Sequence, residues 1–399
     1  MGMAMRVRIR PPKIRPPRLM PRRPQIIVGI PTYNEAKNIE NITKVIDKGL
    51  HKYFPDKKAL IVDVDSNSPD KTRKIFLSTK TKTPKHYLKS PRGKGAAIKN
   101  LLKYFLDTES AEVLIIIDAN ANGASPRWIR NLGIPILKGF DHVFPEYNGH
   151  EYDASVTNHF CYPVMRGVLG IDLRRPVTGQ SAMSKKAVDR LYHRSWPASA
   201  MKNGVDILAA LSSTFGELRI AKSYLGDLPT NSDTDKITEY FEDRAATLFE
   251  KLDKRPNILI ESAKIRKPPL FFKGSRKSKS GTAHIDYKAL SSYSVKEFNK
   301  NKADIKRIVG AKSYKNLSTI FKTKSRLDLG ANDWTEIVYK FVGDLKASPI
   351  KRAKALRPLY LARYLTFYKD YLDKSHKDSE QAIVDQADLF YKRRNLLFS

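Results

Sequence analysis

Three short Ile/Val-rich runs constrain this chain more than any other feature: IIVGI from residue 26, ALIVDV from 59 and VLIII from 113. Each is apolar without alternation and ends in polar residues, the pattern of strands buried on both faces of a parallel sheet. Between them, Ile39, Ile42, Val45, Ile46 and Leu50 recur at helical spacing, as do Ala97, Ile98, Leu101, Leu102 and Phe105. The order is βαβαβ, with right-handed crossovers expected. In open sheets of this kind ligands bind beyond the carboxyl ends of the strands, so chemistry is expected in the polar residues after each run.

The remaining composition sets limits. A chain of 399 residues with 41% hydrophobic residues can build a large core. Its single cysteine, Cys161, forms no internal disulfide, and no Cys/His cluster has zinc-site spacing, so a reducing compartment is expected. The sequence shows neither a signal-peptide core nor an apolar run of bilayer length. The expected location is cytoplasmic, with peripheral contact at the inner face of an anionic membrane left open. The net charge is +33; residues 1–34 hold eight basic and no acidic residues, leaving +25 (33 minus 8) on residues 35–399. Such a charge suits nucleic acid, anionic lipid or phosphorylated ligands, and equally a lysine-rich solvated surface.

Residues 1–24 alternate arginines with Pro-Pro pairs and read as an extended or disordered tail. Residues 25–260 read as one α/β domain, split into halves at 25–124 and 125–260. Residues 261–285 read as a basic loop, with seven basic and no acidic residues from Lys264 to Lys279. Residues 286–399 read as helical, and PLYLARYLTFYKDYLDK within them suits a packed aromatic stripe better than a membrane-surface face.

Four polar clusters fall at or beside the strand ends: Pro31 to Glu35, Asp65 to Asp70, Arg92-Gly93-Lys94-Gly95, and Asp118-Ala119-Asn120. Any one of them also fits ordinary turn and cap chemistry. Together they could build a nucleotide site. Pro31, Tyr33 and Glu35 with Asp65 offer a planar slot and edge hydrogen bonds for a base. Lys94, between glycines at a helix start, is placed to meet phosphate with exposed N–H groups and a positive side chain. The spacing is not that of a Walker A loop.

In this order the segments IPTYNEAKNI, VDSNSPDKT and GKGAAIKN resemble the signatures of GT-A fold glycosyltransferases, those of dolichyl-phosphate mannose synthases among them. The likeness covers roughly residues 26–230 and implies a GT-A fold: a Rossmann-like, mostly parallel sheet flanked by helices, with the C-terminal helical region added. It implies nucleotide-sugar binding by Pro31, Tyr33, Asn34, Glu35, Asp65, Ser66, Lys94, Asp118 and Gly179. It also places an Asp-x-Asp metal motif at Asp118 and Asn120, for Mg²⁺ or Mn²⁺. The second position is an amide that brings no charge, so the metal is expected to be weakly held or dispensable.

The stretch from Ser155 to Leu191 with NGVDILAAL at 203 resembles the retaining glucosyl-3-phosphoglycerate and mannosylglycerate synthase group. That likeness puts Gln180 near the sugar, Asp206 at the acceptor hydroxyl, and Thr157 at the acceptor. Arg174 and Arg175 could clamp an acceptor phosphate or merely solvate a turn. The arginine that precedes Val-Thr in that group is Ser155 here. Its metal-binding histidine has Thr230 or Asn231 in its region, with His284 and His159 as ambiguous substitutes. The expected activity is hexose transfer from a UDP- or GDP-linked donor to a small anionic or phosphorylated acceptor such as 3-phosphoglycerate or glycerate, with retention, the basic loop closing to exclude water. An inverting polyprenyl- or dolichyl-phosphate transferase is the first alternative. A non-catalytic nucleic-acid-binding protein is the second and is not favoured, since no nucleic-acid motif is present.

Overall fold

The computed structural model describes residues 23–121, 123–149, 152, 155–227, 234–255, 264–274, 285–322 and 327–398. The expected tail therefore lies almost wholly outside the described residues. Three of the four parallel strands at the N-terminal end are the predicted runs: β1 (Ile26–Thr32), β2 (Ala59–Asp65) and β4 (Val113–Ile116), joined by β3 (Lys85–Lys89) at the edge. They belong to an eight-stranded sheet of order β3-β2-β1-β4-β6-β5-β7-β8. β6 (Ser181–Ser184) runs antiparallel to β4 and to β5 (His142–Asn148), while β7 (Ile220–Asp227) is parallel to β5. The register pairs Thr32 with Asp65 and Asp65 with Lys89, so the polar strand ends line up along one rim.

Helices cover both faces because both faces of these strands are apolar. α1 (Ile39–Tyr53) and α4 (Pro126–Leu137) bury Ile42, Ile46, Trp128 and Leu132 on one side. α3 (Lys94–Asp107), α6 (Lys185–Tyr192) and α7 (Val205–Phe215) bury Leu101, Phe105, Val188 and Leu208 on the other. α2 (Thr72–Ser78) and α5 (Tyr162–Leu169) complete the flanking layer.

The C-terminal helices share a core with residues 125–260. One cluster of buried side chains runs from Phe144 and Phe160, through Phe241 and Phe249 of α8 (Thr234–Asp253), to Trp334, Tyr360 and Phe390. The helix Pro349–Tyr371 lies at its centre: Leu359, Tyr360, Leu361, Leu365 and Phe367 are fully buried, so the aromatic stripe is packed core. Buried arginines pin these helices. Arg352 pairs with Asp253, and Arg357 with Glu242 at 2.5 Å and with Glu297. The basic loop is corrected in part. Leu270–Phe271 adds β8 beside β7, with Lys222 N donating to Pro269 O at 2.8 Å and Phe271 edge-on to Phe140 at 5.3 Å. An apolar Leu-Phe-Phe inside a basic segment had somewhere to pack.

Candidate active site

The first rim is made by two turns that hold each other. Asn34 sits in the left-handed region at φ +57°, and its N–H donates to Ser68 Oγ at 2.9 Å. The Glu35 N–H donates to Thr72 Oγ1 at 2.9 Å and the Ala36 N–H to Asp70 Oδ2 at 3.1 Å, while the Glu35 carboxylate accepts from Asn38 at 2.7 Å. Asp65 is buried. It accepts from Ser68 N at 3.0 Å and from the Tyr87 hydroxyl at 2.9 Å, and Ser66 N donates to Thr32 O at 2.8 Å. What this framework leaves outward is Tyr33, 37% exposed beside half-buried Pro31, with the Arg92 guanidinium 4.7 Å over its ring. A flat aromatic–guanidinium surface at the end of β1 is suited to stacking a base.

Beside it lies a four-charge cluster. Lys94, the first residue of α3, places its Nζ 3.0 Å from Asp118 Oδ2 and 3.3 Å from Asp206 Oδ2. Asp118 follows β4 and Asp206 opens α7, so the cluster joins the two halves of the domain. Arg244, from α8, stands 3.9 Å from Asp206 and over the Tyr240 ring at 5.3 Å. Burial disfavours the Lys94 charge, but Asp118 and then Asp206 outweigh it and hold its pKa above the ordinary lysine value. Burial raises the Asp118 pKa, with Lys94 pulling against it. Gly179 closes the far side: a Cβ there would sit 1.6 Å from Asp118 Oδ2. Next to it Gln180 Oε1 accepts from the buried Tyr147 hydroxyl at 2.6 Å.

The expectation of free N–H groups at the start of α3 is corrected. Gly93 takes φ +119°, letting the helix begin against the 200–202 segment, where Gly95 N donates to Lys202 O and Ala96 N to Met201 O, both at 2.9 Å. The side chain of Lys94, not the helix terminus, is the group offered to an anion. It borders a cavity of about 470 Å³ lined also by Gly93, Lys202, Asn203, Glu242, Asp243 and Arg357.

Several acceptor candidates stand elsewhere. Thr157 is buried in the π-helical turn Thr157–Cys161. Arg174 is buried rather than solvated: it donates to Asn158 at 2.8 Å and to both Glu380 oxygens at 3.0 and 3.2 Å, joining residues 125–260 to the helix His376–Lys392. Arg175, also buried, lines a narrow cleft with Tyr147, His376 and Glu380. His159 is buried against Phe367 at 4.7 Å, its pKa held well below the usual value by burial, so it is a core residue. Thr230, Asn231 and His284 lie outside the described residues. Tyr147 and Arg244 were not legible beforehand. Arg244 sits in α8, whose Phe241, Leu248 and Phe249 are buried.

Asp118 Oδ2 is already engaged by Lys94 and lies close to Gly179, and Asn120 is exposed and neutral. Among the described residues no group of three or more His, Cys, Asp or Glu side chains could hold a metal ion. The carboxylates as arranged do not fit one.

Residues 27–157 match Glycosyl transferase family 2. With the sheet described above, this makes the fold GT-A and the enzyme a nucleotide-sugar glycosyltransferase. Solved structures of glucosyl-3-phosphoglycerate synthase from Mycobacterium tuberculosis are similar over 57% of this glycosyltransferase. The complex with phosphoglyceric acid shows 21% identity, 80% of that chain covered and a TM-score of 0.46. The complex with Mn²⁺, UDP and phosphoglyceric acid shows 22%, 78% and 0.47. That with Mn²⁺, UDP-glucose and glycerol 3-phosphate shows 22%, 80% and 0.44. Comparison with curated proteins finds no match. No helix among the described residues is long and apolar enough to cross a membrane.

Proposed function

We propose that this glycosyltransferase moves a hexose from a UDP- or GDP-linked donor to a small anionic or phosphorylated acceptor such as 3-phosphoglycerate or glycerate, with retention at the anomeric carbon. The observation that carries the reading is the Lys94 ammonium, fixed between Asp118 and Asp206 at the carboxyl ends of the sheet and fronting a cavity. The base would lie on Tyr33 and Arg92, the diphosphate at Lys94, and the sugar against Gly179 and Gln180. The bond from C1 to the diphosphate oxygen breaks with its electron pair leaving on the nucleotide. The acceptor oxygen bonds C1, and its proton passes to the departing diphosphate or to water.

Catalysis in this scheme comes from positioning and from a preorganised positive charge where negative charge develops. No enzyme nucleophile is assigned. Asp206, expected to orient the acceptor hydroxyl, has Lys94 and Arg244 as partners, so its role is to hold those cations in place. A cytoplasmic location with peripheral contact at an anionic membrane is proposed on the +33 charge alone.

Isothermal titration with UDP and GDP, alongside Asp118→Ala, tests the donor site. Micromolar binding of one nucleotide that the variant loses is expected; binding of neither would remove the reading.

A further inference from the structure

Whatever neutralises a departing diphosphate must present positive charge to the space where the ligand lies. Here Lys94 borders that space together with Lys202, Arg357 and the acidic Glu242 and Asp243, Arg357 being paired with Glu242, and neither Asp118 nor Asp206 lines the cavity. The two carboxylates stand behind the ammonium, at 3.0 and 3.3 Å, and fix it where a free lysine would sample solvent. Arg244 supports the arrangement from α8, 3.9 Å from Asp206.

The same geometry leaves a divalent cation little room. A Mg²⁺ ion sits about 2.0–2.1 Å from its oxygen ligands. At Asp118 Oδ2 it would lie close to the Lys94 Nζ already bonded there, placing two cations in contact. The same oxygen is crowded by the Gly179 backbone, where an added Cβ would sit 1.6 Å away. Asn120 adds an exposed neutral oxygen and no charge to offset the repulsion.

We propose that Lys94, held by Asp118 and Asp206, is the built-in counter-charge for the leaving nucleoside diphosphate, and that this glycosyltransferase works without a divalent cation. The inference rests on the nucleotide-sugar reading given above. Its corollary is specific. Removing the ammonium frees two carboxylates that together make a cation site, so a Lys94→Met variant acquires the metal dependence that the natural protein lacks.

The test is calorimetric titration of the full chain with UDP and with GDP, once in EDTA and once with Mn²⁺, followed by Mn²⁺ alone. For the natural protein one nucleotide is expected to bind with affinities in EDTA and in Mn²⁺ that agree within about threefold, and Mn²⁺ alone gives no heat of binding. Lys94→Met loses about 100-fold in EDTA, recovers part of that with Mn²⁺, and binds Mn²⁺ by itself. Nucleotide binding to the natural protein that EDTA abolishes and Mn²⁺ restores would overturn the inference and leave the transferase reading standing. Absence of nucleotide binding under every condition would overturn both. The arms on the natural protein decide the question even where the variant does not fold.

Discussion

Along the rim of β1 to β4 charged and polar groups find partners on neighbouring turns of the same sheet edge and leave others facing outward; between residues 125–260 and the C-terminal helices they find partners on separate elements and face inward. Asp65 is satisfied by Ser68 and Tyr87, and Asp70 by Thr72 and Ala36. Arg352, by contrast, is fully buried against Asp253, 99 residues away, and Arg174 reaches Glu380 across 206 residues. The first arrangement fixes the shape of turns and keeps a surface for ligand. The second fastens the helices Pro349–Tyr371 and His376–Lys392 to the domain so that they are part of its core. A cation in the first region is a candidate for binding; one in the second is first of all a fastener.

The largest effect expected from breaking this contrast is at Arg352. Its guanidinium is wholly buried, and removing it as Arg352→Met leaves the half-buried Asp253 without its main partner. A buried charge stripped of its partner costs about 3–5 kcal/mol. Urea unfolding of the variant should show that loss, while Asp253→Asn added to Arg352→Met should recover part of it. A change under about 1 kcal/mol would mean that the C-terminal helices do not depend on the pin.

Asp63 is the exception within the first region. It is fully buried in β2, Thr32 donates to one of its oxygens at 2.6 Å, and the other has no partner. Burial raises its pKa from 3.8 to about 7, Thr32 lowers it and Asp65 adds to the rise. A carboxyl whose folded pKa is raised binds its proton more tightly in the folded state. Its contribution is thus fully present below pH 3.8 and is lost as pH rises through about 7. Asp63→Asn keeps an acceptor for Thr32 and removes the titration. The variant should be more stable than the natural protein at pH 8, by at most roughly 4 kcal/mol, with the gap closing toward pH 4. Parallel stability curves across that range would show that Asp63 does not titrate this way.

At the seam between the two regions, Gly179→Ala would push a methyl into the Asp118 carboxylate, 1.6 Å away. The carboxylate and Lys94 must shift together. A displacement near 1 Å at a reacting centre costs on the order of 100-fold in rate. Steady-state turnover should fall by that factor while the melting temperature stays within a few degrees of the natural protein's. Unchanged turnover would show that the Lys94–Asp118 geometry is not critical.

The same contrast explains what was legible in the sequence. IIVGI, ALIVDV and VLIII announced three strands because short β-branched runs bounded by turn residues suit strands buried on both faces, and the turn residues after them were recognisable because each follows directly on such a run. Tyr147 and Arg244 were not. Their importance comes from Gln180 and Asp206, which only the fold brings to them. The Glu380 partner of Arg174 was hidden for the same reason, since no local pattern says that Glu380 will complete it. The start of α3 misled differently: Gly-Lys-Gly does open a helix, but the carbonyls of Met201 and Lys202 take its N–H groups.

Arg174 offers the finest test of the comparison, because fastening and acceptor binding make different demands on it. Its guanidinium is buried, donates to Asn158 and both oxygens of Glu380, and lies 5.3 Å over the Tyr162 ring. Arg174 and Arg175 together hold the Glu380 pKa below its ordinary value against the effect of burial. As a fastener, Arg174 should couple to Glu380 by roughly 1–2 kcal/mol in a double-mutant cycle of Arg174→Gln and Glu380→Gln read by urea unfolding. Glu380→Gln should leave the acceptor KM unchanged within about twofold, because the loss falls on stability alone. As an acceptor clamp, Arg174 would be freed by the Glu380→Gln change and the acceptor KM would fall, with little coupling in the unfolding cycle. A fall in KM would move this arginine from the inward-facing set to the ligand-facing one, and the boundary between the two regions would then run through the Arg174-Arg175 pair.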